Sequence, residues 1–159
     1  MKNRGFSLIE LVVAIAILGI ALTVGGYALS AISLANAKNC ATEIKSSLEK
    51  TRMQACSTDK GSSNATLSLY RDSSGKVVIS KSYEGTPKEI GGKAVTVKYR
   101  VGGATNPYQD LGTTPIVFGF NRSTGGFSDT STVESIQITS GGRTYTLTCY
   151  SLTGKIKME

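Results

Sequence analysis

Hydrophobic and polar positions divide the chain into three stretches. A short basic lead with Lys2 and Arg4 ends at Gly5; the sequence then turns apolar at Phe6 and is interrupted once, by Glu10. Residues 11–32 carry no charged side chain. At roughly 1.5 Å per residue, such a run is long enough to cross a hydrocarbon layer of about 30 Å. The basic residues ahead of it predict a cytoplasmic N-terminus and a chain body outside. Beyond Ser30 the pattern becomes amphipathic with no helix breaker. Leu34, Ala37, Ala41, Ile44, Leu48, Thr51 and Ala55 recur at alternating spacings of three and four, with Lys38, Glu43, Lys45, Glu49, Lys50 and Arg52 on other faces. Gly61-Ser62-Ser63-Asn64 reads as the stop. The pattern predicts one helix from Phe6 to about Ser57, roughly 78 Å long. Residues 6–32 form its membrane-spanning part and 33–58 its amphipathic continuation. The apolar stripe is expected to dock on a β-sheet; a coiled-coil dimer is the alternative, weakened by the small residues along the seam.

Residues 59–159 are assigned to an exported β-rich head, and from Ala65 onward Thr, Ser, Gly and β-branched residues dominate. Expected strands are 65–71, 76–83, 94–100, 116–120, 133–139 and 143–150. Asp72-Ser73-Ser74-Gly75 and Ser140-Gly141-Gly142 separate adjacent strands as hairpin turns. Alternation in Ile136-Gln137-Ile138 and Tyr145-Thr146-Leu147 indicates a sheet with one buried face. Residues 91–92 and 102–112 read as loops. The predicted class is α+β: a long N-terminal helix feeding a small antiparallel sheet.

Glu10 needs an account, since a charge at membrane depth costs roughly 2.5–3.5 kcal/mol on insertion scales, less where it can snorkel near the end of a span. A cleaved secretory signal has a small-residue site in Ala28-Leu29-Ser30 before Ala31, but signal cores run about 7–15 residues and this one is longer and carries a carboxylate. An ordinary single-pass anchor leaves the carboxylate unexplained. Gly5-Phe6-Ser7-Leu8-Ile9-Glu10-Leu11 closely resembles the processing motif of the type IV pilins and type II secretion pseudopilins. The resemblance implies cleavage between Gly5 and Phe6 by a prepilin peptidase, N-methylation of Phe6, and a lollipop fold with a helical stalk and a β-rich head. It also gives Glu10 a role. The freed amine of Phe6 and the Glu10 carboxylate are opposite charges in oil, and pairing cuts the desolvation penalty of each; between neighbouring subunits the pair sets axial register.

The span is rich in small residues, and Ala21/Gly25 and Gly26/Ser30 have the spacing that lets helices approach closely in lipid, although Gly and Ala are common in any span. Gly19, Gly25 and Gly26 are expected weak points, because each interior Gly costs about 1 kcal/mol relative to Ala. Pilins of this family often carry a proline here; this chain does not.

Composition excludes a block of chemistry. The 159-residue chain has no His, which removes Ser-His and Cys-His nucleophile pairs, His-ligated zinc and imidazole shuttles. Ser47-Leu48-Glu49-Lys50 and Ser73-Ser74-Gly75-Lys76 both match Ser-x-x-Lys, without the accompanying catalytic elements. No nucleotide loop, Cys-x-x-Cys or carboxylate cluster stands out. The reading is a non-enzyme with no cofactor and no metal.

The formal charge of +7 falls to about +5 once Lys2 and Arg4 leave with residues 1–5 as the leader. A basic exported head suits DNA, anionic wall polymers or acidic partner subunits. Residues 116–157 resemble the C-terminal half of H-type pseudopilins and FimT-like minor pilins, through Phe118-Gly119-Phe120-Asn121-Arg122-Ser123-Thr124-Gly125-Gly126, Ser135-Ile136-Gln137-Ile138 and Thr153-Gly154-Lys155-Ile156. Gly154-Lys155-Ile156-Lys157 also resembles the Gly-Arg-x-Arg tail implicated in DNA capture by some FimT-like pilins. Lys155 and Lys157 would share one strand face, but lysines supply phosphate contact without bidentate geometry; the bland alternative is a solvated strand face. Cys40, Cys56 and Cys149 are an odd number in a compartment that permits disulfides. Cys40 and Cys56 lie roughly 24 Å apart along one helix and cannot bridge. A bond from either to Cys149 would staple helix to sheet, with Cys56 favoured at the helix end; three buried thiols are the alternative.

The leading functional expectation is a structural subunit, minor pilin or pseudopilin, of a type IV pilus or type II secretion-like filament. Its partners would be other pilin subunits, the prepilin peptidase, an inner-membrane assembly platform and the membrane itself. It would sit as a single-pass membrane precursor and then in a surface or periplasmic filament. Two alternatives stand beside it: a DNA-binding minor pilin for uptake, and a plain membrane-anchored exported β-domain.

Overall fold

The computed structural model describes residues 7–57, 65–128 and 133–159, with the side chains of 23–31 left aside. The chain divides into two units, Met1–Ile32 and Ser33–Glu159. Helix α1, Leu8–Ser57, supplies the described part of the first and opens the second. It begins two residues after the expected cleavage point, with the Ser7 carbonyl accepting from Glu10 N–H at 3.0 Å and Leu11 N–H at 3.2 Å.

Within the second unit α1 buries one stripe: Ala37, Cys40, Ala41, Ile44, Ser47, Leu48, Thr51 and Ala55. This is the face that the three-four spacing predicts, except that Leu34 is only half-buried. The stripe docks on sheets, as expected, and its polar member Thr51 is satisfied. Thr51 Oγ1 donates to the Ser47 carbonyl at 2.8 Å and shares a 3.1 Å hydrogen bond with the Tyr83 hydroxyl.

Among the described residues the head holds nine strands: β1 Thr66–Arg71, β2 Val77–Lys81, β3 Lys88–Gly91, β4 Thr96–Val101, β5 Gln109–Asp110, β6 Ile116–Gly119, β7 Val133–Ser140, β8 Arg143–Tyr150 and β9 Lys155–Met158. The single small sheet expected from the sequence is replaced by two antiparallel sheets, ordered β3-β2-β1-β6 and β5-β4-β7-β8-β9. One core joins them: Leu67, Leu69 and Val77 from the first meet Val97, Ile136, Leu147 and Ile156 from the second around Ile44 and Leu48 of the helix. β5 falls inside the expected loop 102–112, and β3 occupies a stretch given no element and ends in the expected loop at 91–92. β3 has an exposed first half and only Ile90 and Gly91 half-buried, and β5 is two exposed residues; neither carries the apolar alternation that marks a strand.

Both predicted hairpins form. Ser140 pairs with Arg143 across Gly141 and Gly142, which have φ of +59° and +78°. A two-residue turn with both centres left-handed matches the twist of its strands and is open to glycine at little cost. At the other, the Asp72 carboxylate accepts from Lys76 N–H and Ser74 Oγ, each at 2.8 Å. These bonds, Ser74 first, hold the Asp72 carboxyl below its ordinary pKa.

Candidate assembly site

The first described stretch of α1 is apolar and exposed. From Leu8 to Leu22 the large aliphatic side chains are between 48 and 81 % exposed, on every face of the helix. A helix apolar all round is stable in water only when something covers it. Covering these side chains is worth on the order of 10 kcal/mol or more. Among the described residues no helix is long and apolar enough to cross a membrane; residues 23–31, over which the expected span continues, lie outside the described side chains.

Glu10 is exposed in the first turn of α1 and, among the described residues, makes no ion pair. Its place there is electrostatically favourable, since unpaired N–H groups give that end of a helix a partial positive charge. Ser7 and Glu10 have the Ser-x-x-Glu spacing of a helix-start box, a local role the charge argument did not supply. Gly5 and Phe6, the expected cleavage and methylation positions, lie outside the described residues. Gly19, Gly25 and Gly26 fall within α1, which is unbroken at all three; a Cβ on Gly19 would meet nothing within 4 Å. The Ala21/Gly25 and Gly26/Ser30 pairs run outside the described side chains.

At the other end of the chain, β9 is an edge strand on which Lys155 and Lys157 are exposed on one face and Ile156 is buried between them. The strand thus brings the two lysines together as expected. Lys157 Nζ is already engaged by Glu159, and this hydrogen bond raises its pKa above the ordinary lysine value. Arg143 sits at the Gly141–Gly142 turn and Arg122 in the turn after β6, both exposed.

The expected Cys56–Cys149 staple is not formed: all three cysteines are free thiols. Cys40 and Cys149 are buried while Cys56 is exposed, so the alternative of three buried thiols holds for two of them. They face different parts of the head. A Cβ on Gly91 would meet Cys40 Sγ at 3.2 Å, and one on Gly125 would meet Cys56 Sγ at 3.4 Å, whereas Cys149 lies opposite Ile156 on β8. Burial pushes the Cys40 and Cys149 thiols up to about 12.

Helix and sheet are joined at this end by something the sequence reading missed. Arg52 Nε donates to the Gly125 carbonyl at 2.9 Å. Gly154, at φ +62°, packs so closely on Gly125 that a Cβ there would fall 1.9 Å from the same carbonyl oxygen, and one on Gly126 would fall 2.6 Å from the Leu152 carbonyl. The available signal was the pair of Gly turns, 125–126 and 154; nothing in sequence spacing connects them to Arg52.

Residues 1–26 match the family model of the prokaryotic N-terminal methylation motif. No curated protein and no solved structure matches the chain. The motif supports a prepilin-like protein, processed and built into a pilin-like assembly as a structural subunit.

Proposed function

We propose that this chain is a minor pilin or pseudopilin of a type IV pilus or type II secretion-like filament. The prepilin peptidase cuts between Gly5 and Phe6, Phe6 is N-methylated, and the mature helix moves from a single-pass membrane precursor into a filament with the help of an inner-membrane platform. The observation that carries this reading is the helix from Leu8 to Leu22, whose side chains are exposed all round directly behind a matched methylation motif. Lipid covers that surface before assembly and the helices of neighbouring subunits cover it afterwards. Glu10 meets the Phe6 ammonium of a neighbour and fixes register, because an unpaired carboxylate in that setting is costly. Intact mass of the chain expressed with and without a prepilin peptidase tests the reading: loss of residues 1–5 plus one methyl group is expected only with the enzyme. An unchanged mass reduces the protein to a tethered β-domain.

A second reading, DNA capture, draws on the shared exposed face of Lys155 and Lys157. Glu159 competes with phosphate for Lys157, so Glu159→Gln should strengthen DNA binding by the full chain and Lys155→Ala/Lys157→Ala should weaken it and flatten its salt dependence. A binding curve indifferent to all three changes removes this reading.

A further inference from the structure

Three turns of the head gather at the level where α1 enters it. The turn at 141–142 lies against the helix: a Cβ on Gly141 would meet Ser33 Cβ at 2.8 Å and the Leu34 nitrogen at 3.2 Å. Thr139, just before that turn, pairs with Thr96, so the turn at 92–95, which leads into β4, stands at the same end of the sheet. The β1–β2 turn is tied to it through Arg71, which donates to the Gly75 carbonyl at 2.7 Å and to the Val95 carbonyl at 2.6 Å. The stem of Lys93 lies 3.6 Å from where a Cβ on Gly75 would stand. Asn36 and Asn39 of α1 share a groove with Lys76, Gly91 and Gly92, which sets the helix at this level too.

Charge at this end is one-sided. Lys38, Lys93 and Arg143 are exposed, and among the described residues no carboxylate pairs with any of them. The two carboxylates close by are engaged with one residue, Lys76. Glu89 pairs with its ammonium at 2.8 Å, and Asp72 accepts from its N–H at 2.8 Å. The same end begins where the uncharged run stops: Lys38 is the first charged residue after Glu10. With residues 11–32 spanning a membrane, as proposed above, roughly 33 Å of helix fills a hydrocarbon core of about 30 Å. Ser33 then enters the headgroup layer and Lys38 stands about 7–8 Å beyond it, within one Debye length of roughly 8 Å at physiological salt.

We propose that this end of the head docks on anionic phospholipid headgroups, in the leaflet on the head's own side, through Lys38, Lys93 and Arg143. The inference rests on the membrane-precursor reading and adds to it a contact made by the head itself. The three cations come from three elements, α1 and the turns at 92–95 and 141–142, that meet at one level along the helix. A lipid surface can touch all of them at once, whereas a peptide strand follows one element. Each basic residue held at an anionic surface strengthens attachment roughly fivefold.

The chain has no Trp, so Ala94→Trp, at an exposed position beside Lys93, gives a single fluorescent reporter. The full chain is placed in nanodiscs of phosphatidylcholine, or of phosphatidylcholine mixed with phosphatidylglycerol, each with a trace of lipid carrying a nitroxide on its headgroup. Quenching of the reporter is expected to be at least twofold greater in the mixed discs. It should fall to the phosphatidylcholine level in about 0.5 M salt and in Lys38→Gln/Lys93→Gln/Arg143→Gln. A reporter introduced as Leu152→Trp, at a site 87 % exposed between β8 and β9, should show no dependence on lipid charge. Equal quenching at position 94 in both kinds of disc, a triple variant quenched like the parent, or equal lipid dependence at position 152 would each overturn the proposal and leave the filament reading standing. A chain that enters neither kind of disc would overturn both.

Discussion

The two stretches of α1 share a secondary structure and little else. From Ala37 to Ala55 the helix buries one stripe of mostly small residues, with charged residues elsewhere. From Leu8 to Leu22 it exposes large aliphatic side chains in every direction. The first pattern describes a helix whose partner is in its own chain; the second describes one whose apolar surface is left open. Helicity therefore says little about what a segment does, whereas the angular width of its apolar surface says what must cover it.

The sharpest way to break this contrast is to place a charge in each stretch. Leu48→Asp puts an unpaired carboxylate into the core and should unfold the head outright, as read by loss of near-UV circular dichroism, because charge burial adds to a cavity cost of about 2–5 kcal/mol. Ile15→Asp should leave the head's melting temperature within about 1 °C of the parent in detergent, since its side chain is exposed. Equal effects at both positions would erase the distinction.

The next effects concern how the helix is fixed to the sheets. Gly154→Ala should destabilise the head by about 2–4 kcal/mol in urea titration, because the added carbon collides with the Gly125 carbonyl in a left-handed backbone. Arg52→Met should cost about 1.5–3 kcal/mol by removing a charged donor to that carbonyl. If Arg52→Met is silent, the helix end is held by the apolar stripe alone.

A smaller effect separates the thiols. With Cys40 and Cys149 raised to about 12 from an ordinary 9.0 by burial, both stay protonated at pH 8. Iodoacetamide should therefore label only Cys56 in the native chain and all three in denaturant, by mass spectrometry. The sign for stability follows. The unfolded chain loses its thiol protons first, so the contribution of these two residues is complete below about pH 9 and declines between about 9 and 12. Rapid labelling of Cys149 at pH 8 would contradict its burial.

Much of the architecture is legible in the residues because it rests on local periodicity. The helical stripe follows from three-four spacing, β8 from unbroken alternation, and the β7–β8 hairpin from Gly141-Gly142. What escaped is non-local. Edge strands β3 and β5 are mostly exposed and so leave no hydrophobic signature. The division into two sheets depends on β6 joining β1 rather than β7, a pairing between residues some fifty positions apart that no spacing rule reveals. At the sites, Lys155 and Lys157 were placed on one face by simple alternation, but Glu159 beside them and the Arg52–Gly125 bond are side-chain choices made only after folding. Glu10 stood out because it is one charge in an apolar run, and the proposed pairing places its partner in a neighbouring subunit.

That partner is what the account turns on. With the chain co-expressed alongside its own filament system and prepilin peptidase, the fraction of Glu10→Ala protein recovered in sheared filaments should fall at least tenfold below the parent, while its leader is still removed. Glu10→Ala recovered in filaments at the parental level would contradict the claim that this carboxylate registers one subunit against the next.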